Sequence, residues 1–115
     1  MKTQRPYLLD LLARIQMIRD FTSAGHDDFL ESLKTQESVM RCFEVIGEIV
    51  KRLDPSLIAK QPQIPWRQLA GFRDILIHQY DKIDLEIVWD SIENDLPPLE
   101  AAAQSLLRYI DENEK

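Results

Sequence analysis

The sequence predicts an all-α protein, folded as an up-and-down bundle of four to five helices. Apolar residues recur at three- and four-residue steps in every long segment, which is the period of an amphipathic helix. No segment alternates apolar and polar residues as a half-buried strand does. The 115 residues include only three glycines, against an abundance of Leu, Ile, Glu, Asp and Arg, and this composition favours helix over sheet.

The first two predicted helices fill the N-terminal half. The first has one apolar face and ends near Ser23-Ala24-Gly25, because glycine often stops a helix. The second begins around Asp27 or Asp28, either of which can cap the free amides of a first turn. It carries two overlapping apolar stripes as far as Leu53, so we expect it to be sandwiched between helices or against a partner subunit. Asp54-Pro55 then ends it, because proline disfavours helical geometry in the preceding residue.

The C-terminal half begins with a loop of about ten residues, with one helical turn predicted at 56–60. Pro65 suits the first position of the third helix, where its missing amide hydrogen would have no partner. The last segment starts at Asp84, a good cap, and keeps helical spacing to Ile110. Because Pro97-Pro98 interrupts it, we expect either one kinked helix or a short break with a restart.

Composition predicts a single helical domain over 1–115, with a polar tail at 111–115. The one cysteine, Cys42, excludes an internal disulfide framework and is expected to be a small buried residue. No stretch approaches the ~18 apolar residues of a membrane span, and the N-terminus lacks a signal-peptide core, so we expect a cytoplasmic protein with no membrane partner. The formal net charge of −6 means that any nucleic acid must bind a local cationic cleft.

The segment from Arg73 to Tyr80 carries the candidate chemistry. Arg73 and Tyr80 lie seven residues apart, on nearly the same helical face and roughly 10 Å apart along the axis. His78 is about 140° around the helix from Arg73, so the two converge only if the arginine reaches across or the helix ends near His78. Spacing alone leaves two alternatives open, a catalytic set and a partly buried polar network that joins helices. The other histidine, His26, is expected to be an ordinary exposed residue.

This segment matches the R-x4-H-x-Y pattern of the HepT-like branch of the HEPN ribonucleases, with Asp74 as the polar residue that often follows the arginine. The resemblance extends from about Leu8 to Leu106, because flanking features occur in the same order and at similar spacing. These features are Phe43-Glu44-Val45-Ile46-Gly47-Glu48, Pro65-Trp66, Val88-Trp89 and Asp95-Leu96-Pro97.

The resemblance implies a toxin of a toxin–antitoxin pair that cleaves RNA without a metal or other cofactor, in a cleft between two subunits of a homodimer. Arg73 would stabilise phosphate charge and His78 would move a proton. Asp74 and Glu48 are possible supporting residues; alternatively, Glu48 is a solvated surface charge. The helix that carries Gly47 is expected to pass close to the motif.

Tyr80 has a different implied role. In HepT-like proteins the equivalent tyrosine accepts AMP from a cognate MntA-type nucleotidyltransferase antitoxin, which would block RNA by bulk and by negative charge. Alternatively, Tyr80 is a structural aromatic residue that caps a helix and whose hydroxyl has a hydrogen-bond partner.

Two rival functions remain open at this point. One is a non-catalytic helical subunit that binds a nucleotidyltransferase and nucleotide through the same cleft. The other is a structural dimerisation bundle, in which Arg73 and His78 would be buried and mutually satisfied.

Overall fold

The computed structural model describes residues 2–113, apart from the side chains of Lys2 and Tyr80, and this part of the chain contains helices and no strand. Five helices of ten or more residues confirm the predicted all-α fold, and two shorter ones accompany them. The seven α-helices of the described residues are α1 (Arg5–Phe21), α2 (His26–Glu31), α3 (Leu33–Arg52), α4 (Pro55–Ile58), α5 (Trp66–His78), α6 (Leu85–Asn94) and α7 (Leu96–Asn113). Short 3-10 turns occupy Lys2–Gln4 and Tyr80–Lys82.

Helix α3 is the centre of the bundle, since it packs against α1, α2 and α5. The prediction that its segment is sandwiched is confirmed, because residues on two faces of α3 are buried. Helix α1 packs against both α3 and α7, and α6 packs against α7. Cys42, on α3, is 1% exposed, as expected of a small core residue.

Burial of apolar residues at helical spacing holds these helices together. The buried positions of α1 are spaced by three or four residues, and α7 repeats the pattern on the face that it turns to the core. Truncating one such leucine to alanine typically costs about 2–5 kcal/mol, because both transfer energy and packing are lost. These core residues are Leu8, Leu11, Ile15 and Ile18 of α1, with Leu99, Ala103, Leu106 and Ile110 of α7.

The predicted continuous second helix is wrong, because the chain breaks at Ser32. This residue is extended (φ −103°, ψ 106°), and its hydroxyl accepts a hydrogen bond from the Thr35 amide at 3.2 Å, which caps α3. Neither Asp27 nor Asp28 caps α2; both lie in its first turn, where carboxylates favour the helix dipole. Gly25 precedes α2 with φ +95°, a conformation that residues with a Cβ rarely adopt.

The other predicted boundaries hold to within a few residues. Helix α4 is the predicted single turn, and Pro65 lies one position before α5 rather than at its first residue. Asp84 caps α6, its carboxylate accepting a hydrogen bond from the Glu86 amide at 2.9 Å. The break with a restart is the observed alternative at Pro97-Pro98: α6 ends at Asn94, and both prolines lie in the first turn of α7.

Helix α7 continues to Asn113, so the first three residues of the predicted polar tail are helical. Residues 114 and 115 lie outside the described residues. No helix in the described part of the chain combines the length and the apolarity that crossing a bilayer requires.

His26 contacts two side chains of α6, although the sequence predicted an ordinary exposed residue. Its Nε2 lies 2.9 Å from a carboxylate oxygen of Glu86, and its ring centre is 5.1 Å from that of Trp89. The centre of the Trp89 ring also lies 5.5 Å from that of the Phe29 ring. These contacts tie α2 to α6.

Candidate functional site

Helix α5 sets the geometry of the motif. It begins after Pro65, where the indole N–H of Trp66 donates to the Gln61 carbonyl at 2.9 Å. It ends at His78, because Gln79 leaves helical geometry (φ −131°, ψ 30°) while its amide still donates to the Ile75 carbonyl at 2.8 Å. His78 is therefore the last residue of the helix, one of the two geometries that the sequence left open for convergence with Arg73.

Helix α3 passes directly beside Arg73, as expected from the residues around Gly47. A Cβ added to Gly47 would overlap the Arg73 Cβ, and it would also lie 3.2 Å from the Leu69 carbonyl oxygen. Only glycine therefore allows the two backbones to approach this closely. This contact places the base of the Arg73 side chain against α3.

The Arg73 guanidinium lies between two carboxylates. Its Nη1 donates to Asp74 Oδ1 at 3.0 Å, and its Nε is 3.4 Å from Glu48 Oε2. The side chain is 29% exposed, so it is held in place while part of it faces solvent. Asp74 and Glu48, both predicted as supporting residues, are the groups that the structure brings to Arg73.

Two cations of α3 extend this network. Lys51 Nζ donates to Asp74 Oδ1 at 2.8 Å, and Arg52 Nη2 is 3.2 Å from Glu48 Oε1. The hydrogen bond from Lys51, and then that from Arg73, lowers the pKa of Asp74 below its ordinary value of 3.8. Asp74 is therefore ionised at neutral pH and remains so in mild acid.

Sequence analysis did not assign Lys51 or Arg52 to the candidate site. Their positions three and four residues after Glu48 were a usable signal, because side chains at these spacings are neighbours on a helix. The Lys51–Asp74 contact had no such signal, since it joins residues 23 apart in sequence.

His78 is exposed, and among the described side chains it has no hydrogen bond or ion pair. The interpretation of Arg73 and His78 as a buried, mutually satisfied pair is therefore wrong. Arg73 bonds to carboxylates instead, and the imidazole faces solvent. The backbone of Tyr80 begins the 3-10 turn after α5. Its side chain lies outside the described residues, so both interpretations of Tyr80 stay predictions.

A cleft of about 230 Å³ lies beside Arg73, where α1, α3 and α5 meet. Apolar side chains and ionic groups both line it. Ile77 is among the lining residues, whereas His78, about 100° further round the helix, is not. Within one chain, then, the cleft holds Arg73 without His78. The other lining residues are Tyr7, Asp10, Arg41, Glu44, Val45, Glu48, Ile49 and Arg52.

Exposed isoleucines surround the motif. Ile75 and Ile77 of α5 are 47% and 42% exposed, and Ile87 of α6 is 60% exposed. Ile75 and Ile87 line an apolar groove of about 420 Å³ between these two helices. Within the residues that the structure describes, no group of three or more His, Cys, Asp and Glu side chains is placed to hold a metal ion.

Known proteins resemble this chain over most of its length. A family profile described as Ribonuclease HepT-like matches residues 11–106. A Methanocaldococcus jannaschii protein named "Putative RNase" is 46% identical over 97 residues, covering 84% of this chain and 80% of the relative. The "Probable ribonuclease HepT" of Thermococcus cleftensis is 36% identical over 106 residues, covering 91% of this chain and 96% of the relative. No solved structure matches significantly.

Proposed function

Since this chain belongs to the Ribonuclease HepT-like family, we propose that it is an endoribonuclease whose catalytic residues are Arg73 and His78. The observation that carries the proposal is the family match over residues 11–106, which includes the whole motif and the Glu48 segment. The names of the relatives, which call them ribonucleases, support it. So does the exposure of His78, because a proton-transferring imidazole must reach its substrate.

The chemistry requires no metal, because RNA supplies its own nucleophile. The 2′-hydroxyl oxygen bonds to phosphorus as the bond from phosphorus to the 5′-oxygen breaks, which leaves a 2′,3′-cyclic phosphate and a free 5′-hydroxyl. One imidazole takes the proton of the 2′-hydroxyl, and a protonated group returns one to the leaving oxygen. Arg73 stabilises the charge that gathers on the phosphate oxygens, since its planar guanidinium can donate two parallel hydrogen bonds.

The active form in this proposal is a homodimer with the two motifs facing each other. Two copies of His78 can then divide the roles of base and acid, which one imidazole cannot fill at the same moment. The exposed Ile77 supports this arrangement, because it lines the Arg73 cleft and an apolar side chain beside a polar motif is typical of a surface that a second subunit covers. Pairing also supplies the His78 that the single-chain cleft lacks.

In the cell, the proposed protein is the toxin of a toxin–antitoxin pair. A nucleotidyltransferase antitoxin transfers AMP from ATP to the Tyr80 hydroxyl: the phenolic oxygen bonds to the α-phosphorus, pyrophosphate leaves and the phenolic proton is released. The added phosphate places negative charge two residues from His78, where it opposes RNA binding by charge and by bulk.

The test is incubation of the purified protein with RNA in EDTA. Wild type is expected to cut, producing cyclic phosphate ends, while Arg73→Ala and His78→Ala do not cut and keep the helical spectrum of wild type. Arg67→Ala, an exposed arginine on the same helix, and His26→Ala are the matched controls and are expected to cut.

Wild type that leaves RNA intact in both EDTA and magnesium would overturn the proposal. That result would favour the rival function, a non-catalytic subunit for a nucleotidyltransferase. Cleavage that appears only with a divalent metal would overturn the metal-independent mechanism.

A further inference from the structure

Five charged side chains form one continuous chain across the face of α3 and α5. In order they are Lys51, Asp74, Arg73, Glu48 and Arg52, joined by contacts of 2.8, 3.0, 3.4 and 3.2 Å. Each carboxylate thus contacts two cations. The group of three cations and two anions has one positive charge in excess.

The two outer cations decide the sign of that excess. Without Lys51 and Arg52, Arg73 would lie between two carboxylates and the remaining three groups would carry one negative charge. A phosphodiester would then be repelled by the site that must bind it. The overall acidity of the protein strengthens this argument, since its net charge of −6 attracts no polyanion from a distance.

We propose that Lys51 and Arg52 are positioning residues of the RNA site. They neutralise the charges of Asp74 and Glu48, so that the positive charge of the Arg73 guanidinium remains available to attract a phosphate of RNA. This inference rests on the proposed function and assigns two residues to the same site. Asp74 Oδ1 is the main junction, because it accepts hydrogen bonds from both Lys51 and Arg73.

A purely structural role for the two residues is a poor alternative. Lys51 and Arg52 are exposed, and ion pairs between exposed groups contribute little to folding stability. Their removal is therefore expected to leave the melting temperature nearly unchanged. Any loss of RNA binding can then be read separately from unfolding.

The experiment measures binding of a 2′-O-methyl oligonucleotide, which lacks the nucleophile and cannot be cut. Lys51→Met and Arg52→Met are each expected to weaken binding about fivefold at low salt, the effect of one unit charge at short range in water. The slope of log affinity against log salt should fall by about one. In cleavage assays KM should rise more than kcat falls. Lys51→Arg should restore binding, because the charge and the donor to Asp74 return.

Lys34→Met is the matched control, an exposed lysine of the same helix outside the network. The double variant Lys51→Met with Asp74→Asn removes one charge of each sign, so the site keeps one positive charge in excess. It is expected to bind RNA better than Lys51→Met alone, since the uncompensated carboxylate is gone.

The outcomes separate this inference from the proposed function. If Arg73→Ala abolishes cleavage while Lys51→Met, Arg52→Met and Lys34→Met all bind and cut alike, the positioning role is overturned and the ribonuclease stands. A double variant that binds no better than Lys51→Met also overturns it. If wild type neither binds nor cuts RNA, both ideas fall together.

Discussion

The Cβ of Arg73 occupies the space that a side chain on Gly47 would need. The added Cβ would overlap the Arg73 Cβ and lie 3.1 Å from its Cγ, closer than ordinary van der Waals contact. Helices α3 and α5 therefore pack closely at the residue where the candidate site begins. Because Gly47 has no side chain, the Arg73 side chain can lie against α3, and this sets the position of the guanidinium.

We expect Gly47→Ala to push α5 away from α3 and to destabilise the fold by about 1–3 kcal/mol, the usual range for overpacking a core. The same shift should move Arg73 from Glu48 and reduce RNA cleavage more than the loss of stability explains. Urea unfolding and cleavage rates measured well below the melting temperature would check both effects.

The control for this variant is Gly71→Ala in the middle of α5. A Cβ there meets nothing within 4 Å. Alanine favours helix over glycine, so this variant should be more stable than wild type by about 0.5–1 kcal/mol. If the two variants behave alike, the close approach at Gly47 has no energetic consequence.

Ser32→Ala tests the break between α2 and α3. Loss of the hydroxyl that accepts from the Thr35 amide should cost about 1 kcal/mol, the typical value for removing an N-cap. Ser38→Ala is the matched change inside α3, where the hydroxyl donates to the Lys34 carbonyl. Because serine is a weaker helix former than alanine, Ser38→Ala should be neutral or slightly stabilising. Thermal melts of the two variants would show an equal change if Ser32 were not a cap.

The lowered pKa of Asp74 predicts a pH dependence of stability. A carboxyl whose folded pKa lies below its ordinary value stabilises the fold above about pH 3.8, and that contribution disappears as pH falls through the lower, folded value. Asp74→Asn should therefore be only slightly less stable than wild type at pH 6, because exposed ion pairs contribute little, and the difference should shrink below about pH 3.8. Urea unfolding across this range checks the sign, and a difference that stays constant down to pH 2 would contradict it.

Ile77→Asp is expected to convert the proposed homodimer to a monomer. The side chain is 42% exposed in the single chain and lies one turn from Arg73, so the change should leave the monomer folded while placing a charge in the interface. Sedimentation equilibrium would show the dissociation, and RNA cleavage should be lost with it.

Leu33→Asp is the control for that experiment, since Leu33 is 64% exposed at the start of α3, outside the residues that line the Arg73 cleft. It should remain dimeric and active. An Ile77→Asp variant that stays dimeric and cuts RNA would show that the subunits pair through another surface.

Local patterns predicted most of the fold. The apolar period located α1, α3, α6 and α7, and the residues before Pro55 and after Asp84 fixed two boundaries. The break at Ser32 was missed because the apolar spacing from Phe29 continues across it to Val39, as it would in one helix. From the sequence alone, a serine in that position is expected to be an ordinary surface residue. Only the structure shows that its hydroxyl accepts a hydrogen bond from the Thr35 amide.

The site was only partly predictable, because its contacts are of two kinds. The angle between Arg73 and His78 follows from helix geometry, and the end of α5 at His78 was one of two stated alternatives. The contact of Lys51 with Asp74 depends on how closely α3 and α5 pack, and no spacing along the chain encodes that distance. Family resemblance pointed to Glu48, and the four-residue spacing from Glu48 could have pointed to Arg52.

The two tryptophans lie on different helices, so each can report by fluorescence on a different part of the fold. Trp66 is almost fully buried at the start of α5, with its indole N–H bonded to the Gln61 carbonyl. Trp89 is half-buried on α6, and its ring lies against the His26 ring at an angle of 32°. A Trp89→Phe protein would thus fluoresce from the helix that carries Arg73 and His78, and a Trp66→Phe protein from the joint between α2 and α6.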